Sequence, residues 1–165
     1  MNEESDLLQL ANEAIQLEYN VSKLYMIFRN AYPEDAEFWW ELVVEENNHG
    51  DLIKSGRDFF MPEGLFPYEI FPSMDDLKEA NEVLLSLLDK YESTPPSREE
   101  AFNLALKTEL SAGEIHFQGA MTKSTDSQVL DLFQKLNQGD KDHAKRIRDY
   151  MKQKGILELD CTPKD

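Results

Sequence analysis

Two short stretches of this chain echo each other: Glu46-Asn47-Asn48-His49 and Asp140-Lys141-Asp142-His143. Each sets a carboxylate and an imidazole at positions i and i+3, which share one face of an α-helix a turn apart. Both pairs lie in a helical apolar stripe. Trp39, Leu42, Val43, Gly50 and Ile53 surround the first, and Phe133, Leu136, Ala144 and Ile147 the second. A carboxylate and an imidazole on a core-facing stripe are costly unless something satisfies them. Two such pairs in one chain point to a shared satisfier, and a metal ion is the obvious one.

Four long helices are needed to bring these pairs together. The first reads from Asp6 to Asn30, with Ala11, Ala14, Ile15, Val21, Ser22 and Tyr25 at helical spacing and Glu18 in the middle of that face. Tyr32-Pro33 ends it, and Pro33 can open the next helix, Glu34 to Ser55. So short a connection makes the two antiparallel neighbours. Gly56 to Pro72 is an irregular connector of glycines, prolines and aromatics that should lie on apolar surface. Ser73 caps a shorter helix to Tyr91, with Leu77, Val83, Leu84, Leu87 and Leu88 as its apolar positions. Ser97-Arg98-Glu99-Glu100 is a capping box for a third long helix to Met121. That helix carries Ala101, Phe102, Ala105, Leu106, Ala112, Gly113 and His116 on one face with Glu109. Thr125-Asp126-Ser127-Gln128 caps the fourth, which runs to Lys154 and stops at Gly155.

The two halves match each other. Ala14-Ile15-x-x-Glu18 aligns with Ala105-Leu106-x-x-Glu109. Trp39, Leu42, Glu46, His49 and Ile53 align with Phe133, Leu136, Asp140, His143 and Ile147. Each half is a helix with one core-facing carboxylate followed by a helix with a carboxylate-x-x-His.

This order resembles the ferritin-like superfamily and, within it, the rubrerythrin-type diiron proteins, across roughly Asp6 to Tyr150. Ala14-Ile15-Gln16-Leu17-Glu18 through Tyr25 also looks like rubrerythrin's first helix. The resemblance implies an all-α fold: a ferritin-like four-helix bundle in one domain over 1–165, with a long crossover carrying an extra short helix between helices two and three. It implies a dinuclear centre of two iron ions, with manganese or another divalent metal as the alternative. Glu18 and Glu109 would be terminal carboxylates, Glu46 and Asp140 bridging ones, and His49 and His143 one ligand to each metal. The activity implied is an oxidoreductase acting on dioxygen or peroxide. The rival readings are ferritin-type iron oxidation and sequestration, and a non-catalytic helical interaction protein with a vestigial site.

Three departures from the family stand out. Asp140 replaces the usual Glu and is one methylene shorter, so the site containing Glu18, Glu46 and His49 should bind the tighter metal. Ala112 stands where rubrerythrins carry a further Glu associated with peroxidase chemistry. There is no rubredoxin-like cysteine module, so electrons must come from an external donor.

Other polar residues read as bystanders. Glu45 is rotated about 100° from Glu46 on a helix, and Glu114, five residues after Glu109, should point well away from that face, so both read as solvated. His116 takes the place of Tyr25 in the repeat and reads as a core residue or one supporting the ligands. Trp39-Trp40 and the connector aromatics read as packing or a homodimer contact.

Composition bounds the rest. The 165 residues are 41% apolar, enough for a packed core, with a formal net charge of −16. That charge argues against nucleic acid and anionic membranes as partners. A lone cysteine, Cys161, excludes an intrachain disulfide. No apolar run has transmembrane length and no signal peptide is evident, so a cytoplasmic location is expected.

Overall fold

The computed structural model describes residues 3–137 and 142–159, and among them it is helical throughout, with no strand. The helices are α1 (Glu3–Ala31), α2 (Ala36–Phe60), α3 (Met74–Tyr91), α4 (Arg98–Glu109), α5 (Ala112–Thr122), α6 (Gln128–Leu136) and α7 (His143–Lys154). Single 3-10 turns at Pro33–Asp35 and Tyr68–Ile70 interrupt the connections. No described helix is long and apolar enough to cross a membrane.

Pro33 starts the turn that folds α2 back along α1, and these two share the most extensive helix contact. α3 lies on the other side of α1, while α4 packs against α7. Buried Asp35 ties the ends of these pairs together: Arg98 donates to both its oxygens, at 2.6 and 2.8 Å, and Tyr150 donates at 2.9 Å. These bonds hold the Asp35 carboxyl below the usual range, although burial alone would raise it.

The core is continuous from Ala11 to Met151. Phe28 of α1, Trp39 of α2 and Phe102 of α4 meet in it fully buried, with Trp39 centred 5.1 Å from Phe28 and 4.5 Å from Phe102. Each such side chain contributes roughly 1.5–3 kcal/mol by leaving water. The connector covers part of the core through Phe66, Ile70 and Phe71, while Phe59 stays exposed.

Two of the long helices expected from periodicity are broken. The third divides at Leu110-Ser111. Thr108 Oγ1 donates back to the Leu104 carbonyl, a bond that bends helices, and Ser111 adopts the extended backbone of an N-cap. The fourth divides into α6 and α7. Ser127, not Thr125, caps α6 by accepting from Leu130 N. Asp142 caps α7 from a left-handed backbone, φ 50°, a conformation Asp tolerates better than most residues, and accepts from Lys145 N at 2.9 Å. In the other direction, α2 continues past Ser55 to Phe60. Leu136 and Val83, expected in the core, are exposed because α6 and α3 turn those positions outward.

Candidate metal centre

Glu18 of α1, Glu46 and His49 of α2, Glu109 of α4 and His143 of α7 converge at one level of the core, all at most 2% exposed. Each arrives from a differently constrained element. Glu18 and Glu46 sit mid-helix on the mutually packed faces of α1 and α2. Glu109 is the last residue of α4, just before the helix break. His143 is the first residue of α7, aimed by the left-handed Asp142 cap.

The side chains form two groups with a common member. Glu18, Glu46 and His49 can each offer one ligand atom, these atoms lying within 4.8 Å of one another, and so can Glu46, Glu109 and His143. His49 Nδ1 lies 3.2 Å from Glu46 Oε2 and 3.4 Å from Glu18 Oε2. His143 Nδ1 lies 2.7 Å from Glu46 Oε1 and 3.4 Å from Glu109 Oε2. The imidazole rings stack, centroids 5.5 Å apart. Glu46 thus stands between the two histidines. Asp140 lies outside the described residues.

Three further residues belong to this centre. Tyr25, fully buried, donates to Glu109 Oε1 at 2.5 Å. It stands two turns after Glu18, on the face where helical spacing puts it. Glu45 is not simply solvated: its Oε2 lies 2.9 Å from His143 Nε2 and accepts from Arg146. Nothing in the local sequence signals this, because its partners come from the opposite half of the chain. Glu114 is also not solvated. It is 1% exposed, and neither of its oxygens has a hydrogen-bond partner among the described residues. The break after Glu109 resets the helical phase and turns Glu114 inward; the Thr108–Ser111 stretch was the available signal. His116, in contrast, is half-buried on α5, with Nε2 3.0 Å from the Glu69 carbonyl. It tethers the connector and neither fills the core nor supports the ligands.

Electrostatics follow from so many acids in a dry place. Burial pushes Glu18 up to about 7, although His49 pulls the other way. Burial, with Glu18, Glu46 and Glu109 nearby, raises Glu114 well above the usual carboxylate range. Burial and Glu46 raise Glu109. Burial would also raise Glu46, but His143 and His49 hold it below its ordinary value. His143 shows the converse: burial disfavours its charge, yet Glu46, Glu109 and Glu45 keep it protonated. Without metal, the cluster is therefore neutralised by protons.

The donors suit a cation. Buried Glu18 Oε2, Glu46 Oε1 and Glu109 Oε2 make no aligned hydrogen bond among the described residues, and Glu46 Oε1 does not despite its closeness to His143. Oxygens packed this closely without donors aimed at them match what a bound cation needs. Carboxylate and imidazole together favour iron or manganese over softer metals. Four buried carboxylates, counting Glu114, balance about four positive charges, the charge of two divalent ions. Two grooves reach the centre: one of about 320 Å³ is lined by His49, Leu52 and Asn137, and one of about 800 Å³ by Glu109, Gly119 and Gln134.

Comparison with protein-family models, characterised proteins and solved structures yields no match.

Proposed function

We propose that this protein binds two divalent metal ions, iron or manganese, in a rubrerythrin-like helical bundle and works as an oxidoreductase on dioxygen or peroxide. The observation that carries this reading is the pair of three-residue ligand groups sharing Glu46. Glu18, Glu46 and His49 would hold one ion and Glu46, Glu109 and His143 the other, with Glu114 beside them. When bound, such a pair supplies open coordination positions for the oxidant and the electrons to reduce it.

The surrounding residues have definable tasks. Tyr25 fixes the rotamer of Glu109 by its hydrogen bond. Glu45, anchored by Arg146, orients the His143 ring, as carboxylates beside metal-ligating histidines commonly do. Phe117, centred 5.2 Å from His49, shields that ring from water. Reduction of dioxygen or peroxide consumes protons, and Glu114 is an acid beside the cluster whose protonated form burial favours in the metal-free fold.

Anaerobic calorimetric titration with Fe(II), and separately with Mn(II), tests the reading. Two ions per chain are expected, with uptake lost in Glu46→Ala because both groups lose their common member. Absence of uptake, or two ions retained by Glu46→Ala, would overturn it. Peroxide consumption by the Fe(II)-loaded protein tests the reaction class.

A further inference from the structure

The larger of the two grooves far exceeds what dioxygen or hydrogen peroxide needs. Its volume is about 800 Å³, within the range of sites that take organic molecules. Dioxygen and hydrogen peroxide are little larger than water, whose share of the liquid is about 30 Å³. Leu110, Ile115, Met121 and Ala144 give the groove apolar walls, and buried Glu109 of the cluster lines its inner end.

One polar side chain there is left without a partner. Asn137, 7% exposed, caps the end of α6 and is the one described residue that lines both grooves. Its Oδ1 meets no hydrogen-bond donor among the described residues. Leaving that oxygen unmet costs about 1–3 kcal/mol, which an apolar side chain would avoid. The terminal torsion of a carboxamide is soft, so a donor arriving along the groove can draw Oδ1 toward it. The acids beside it are already engaged: Asp142 accepts from Lys145 N, and Glu109 accepts from Tyr25. No Lys or Arg lines the groove among the described residues, so nothing there holds an anionic head group. The ligand that fits is neutral, mostly hydrocarbon, and carries a hydrogen-bond donor at the end that meets Glu109.

We propose that the oxidant reduced at the Glu/His cluster is an organic hydroperoxide, R–O–O–H, with its hydrocarbon part in this groove and its hydroperoxy hydrogen donated to Asn137 Oδ1. This substrate class rests on the proposed metal centre, which supplies the electrons. The O–O bond breaks as it takes up two electrons, one from each of two Fe(II) ions that become Fe(III), and two protons from water. The RO fragment leaves as the alcohol ROH and the OH fragment as water. The bond to Asn137 holds the terminal oxygen beside Glu109, while the apolar walls select for the R group.

Binding is tested on the full chain without metal, with cumyl alcohol as an unreactive stand-in for cumene hydroperoxide. The alcohol should bind saturably and shift the methyl resonances of Ile115 and Met121. Cumyl methyl ether has nearly the same shape but no donor, and should bind about tenfold more weakly, the worth of one hydrogen bond. Asn137→Leu should erase that difference. Gly119 also lines the groove, and a Cβ added there meets nothing within 4 Å, so Gly119→Phe fills the groove from a position with room for it. That variant should lose alcohol binding while its melting curve stays the same. Absence of a saturable shift, equal binding of alcohol and ether by the parent, or binding unchanged by Gly119→Phe overturns the proposal. In single turnover, Fe(II)-loaded protein should convert cumene hydroperoxide to cumyl alcohol; acetophenone, the one-electron product, would overturn the two-electron step. Binding is read without metal, so its failure is distinct from a failure of metal uptake.

Discussion

His143 places Nδ1 2.7 Å from Glu46 Oε1, although the two residues come from opposite halves of the chain. The contact couples their protonation. Glu46 stays ionised because two imidazoles face it, and His143 stays charged chiefly because Glu46 does. His143 is raised above its unfolded value, so the stability it contributes is fully present below about 6.5 and is lost as pH rises through the folded value.

Glu46→Gln should therefore weaken the metal-free protein at pH 6 by roughly 3–5 kcal/mol, the usual loss when one partner of a buried pair is removed. The His143 titration should also fall toward neutrality, so that at pH 8 the ring sheds its proton and the deficit shrinks. Urea unfolding at both pH values, with the imidazole resonances of His143 followed by NMR, measures each part. An unmoved His143 titration would disprove the coupling.

Burial and the neighbouring carboxylates favour the protonated form of Glu114 in the metal-free fold, so Glu114→Gln copies the favoured form. The metal-free melting temperature should hardly change, while the affinity for Fe(II) or Mn(II) should fall. A solvated Glu114 would leave both untouched. Calorimetry and thermal melts on the same preparation separate the cases.

The metal-free protein should lose stability as pH rises from 4.5 to 7. Glu18 is raised from 4.5 to about 7, so its contribution is complete below the unfolded value and disappears as pH climbs through the folded one. Glu18→Gln should flatten that part of the profile. Bound metal should reverse the slope, since a cation stabilises the ionised carboxylate and is held more tightly as protons leave. Melting temperatures across this range, with and without Mn(II), check the sign.

Gly56 faces Phe133, whose Cζ would lie 2.1 Å from an added Cβ. Alanine would gain about 1 kcal/mol of helix propensity there. Overpacking costs about 1–3 kcal/mol, and a ring held in the core cannot simply swing away, so the steric effect should win. Gly56→Ala should lower the melting temperature, and Phe133→Leu should restore most of it. A Gly56→Ala protein more stable than the parent would show that α6 yields freely.

Much of this molecule is written in local pattern. Helical periodicity with the Tyr32-Pro33 break and the Thr94-Pro95-Pro96 stretch marks α1 to α3 and the start of α4, because an apolar stripe and a missing N–H act within a few residues. The caps at Ser73 and Ser97 follow from the same short-range chemistry and form as expected. The duplicated carboxylate and imidazole spacing singles out Glu18, Glu46, His49, Glu109, Asp140 and His143, of which Asp140 lies outside the described residues, since a regular helix converts sequence interval directly into direction.

What the sequence did not determine depends on groups distant along the chain. Glu114 turns inward only because Leu110-Ser111 breaks the helix, and a fixed angular step per residue cannot foresee a reset of phase. Glu45 becomes the partner of His143 only once α7 lies across α2. His116 is drawn to the Glu69 carbonyl rather than to the centre because the connector returns beside α5. The protonation states are likewise tertiary: desolvation and neighbouring charges set them, and both exist only after the helices have closed around the acids.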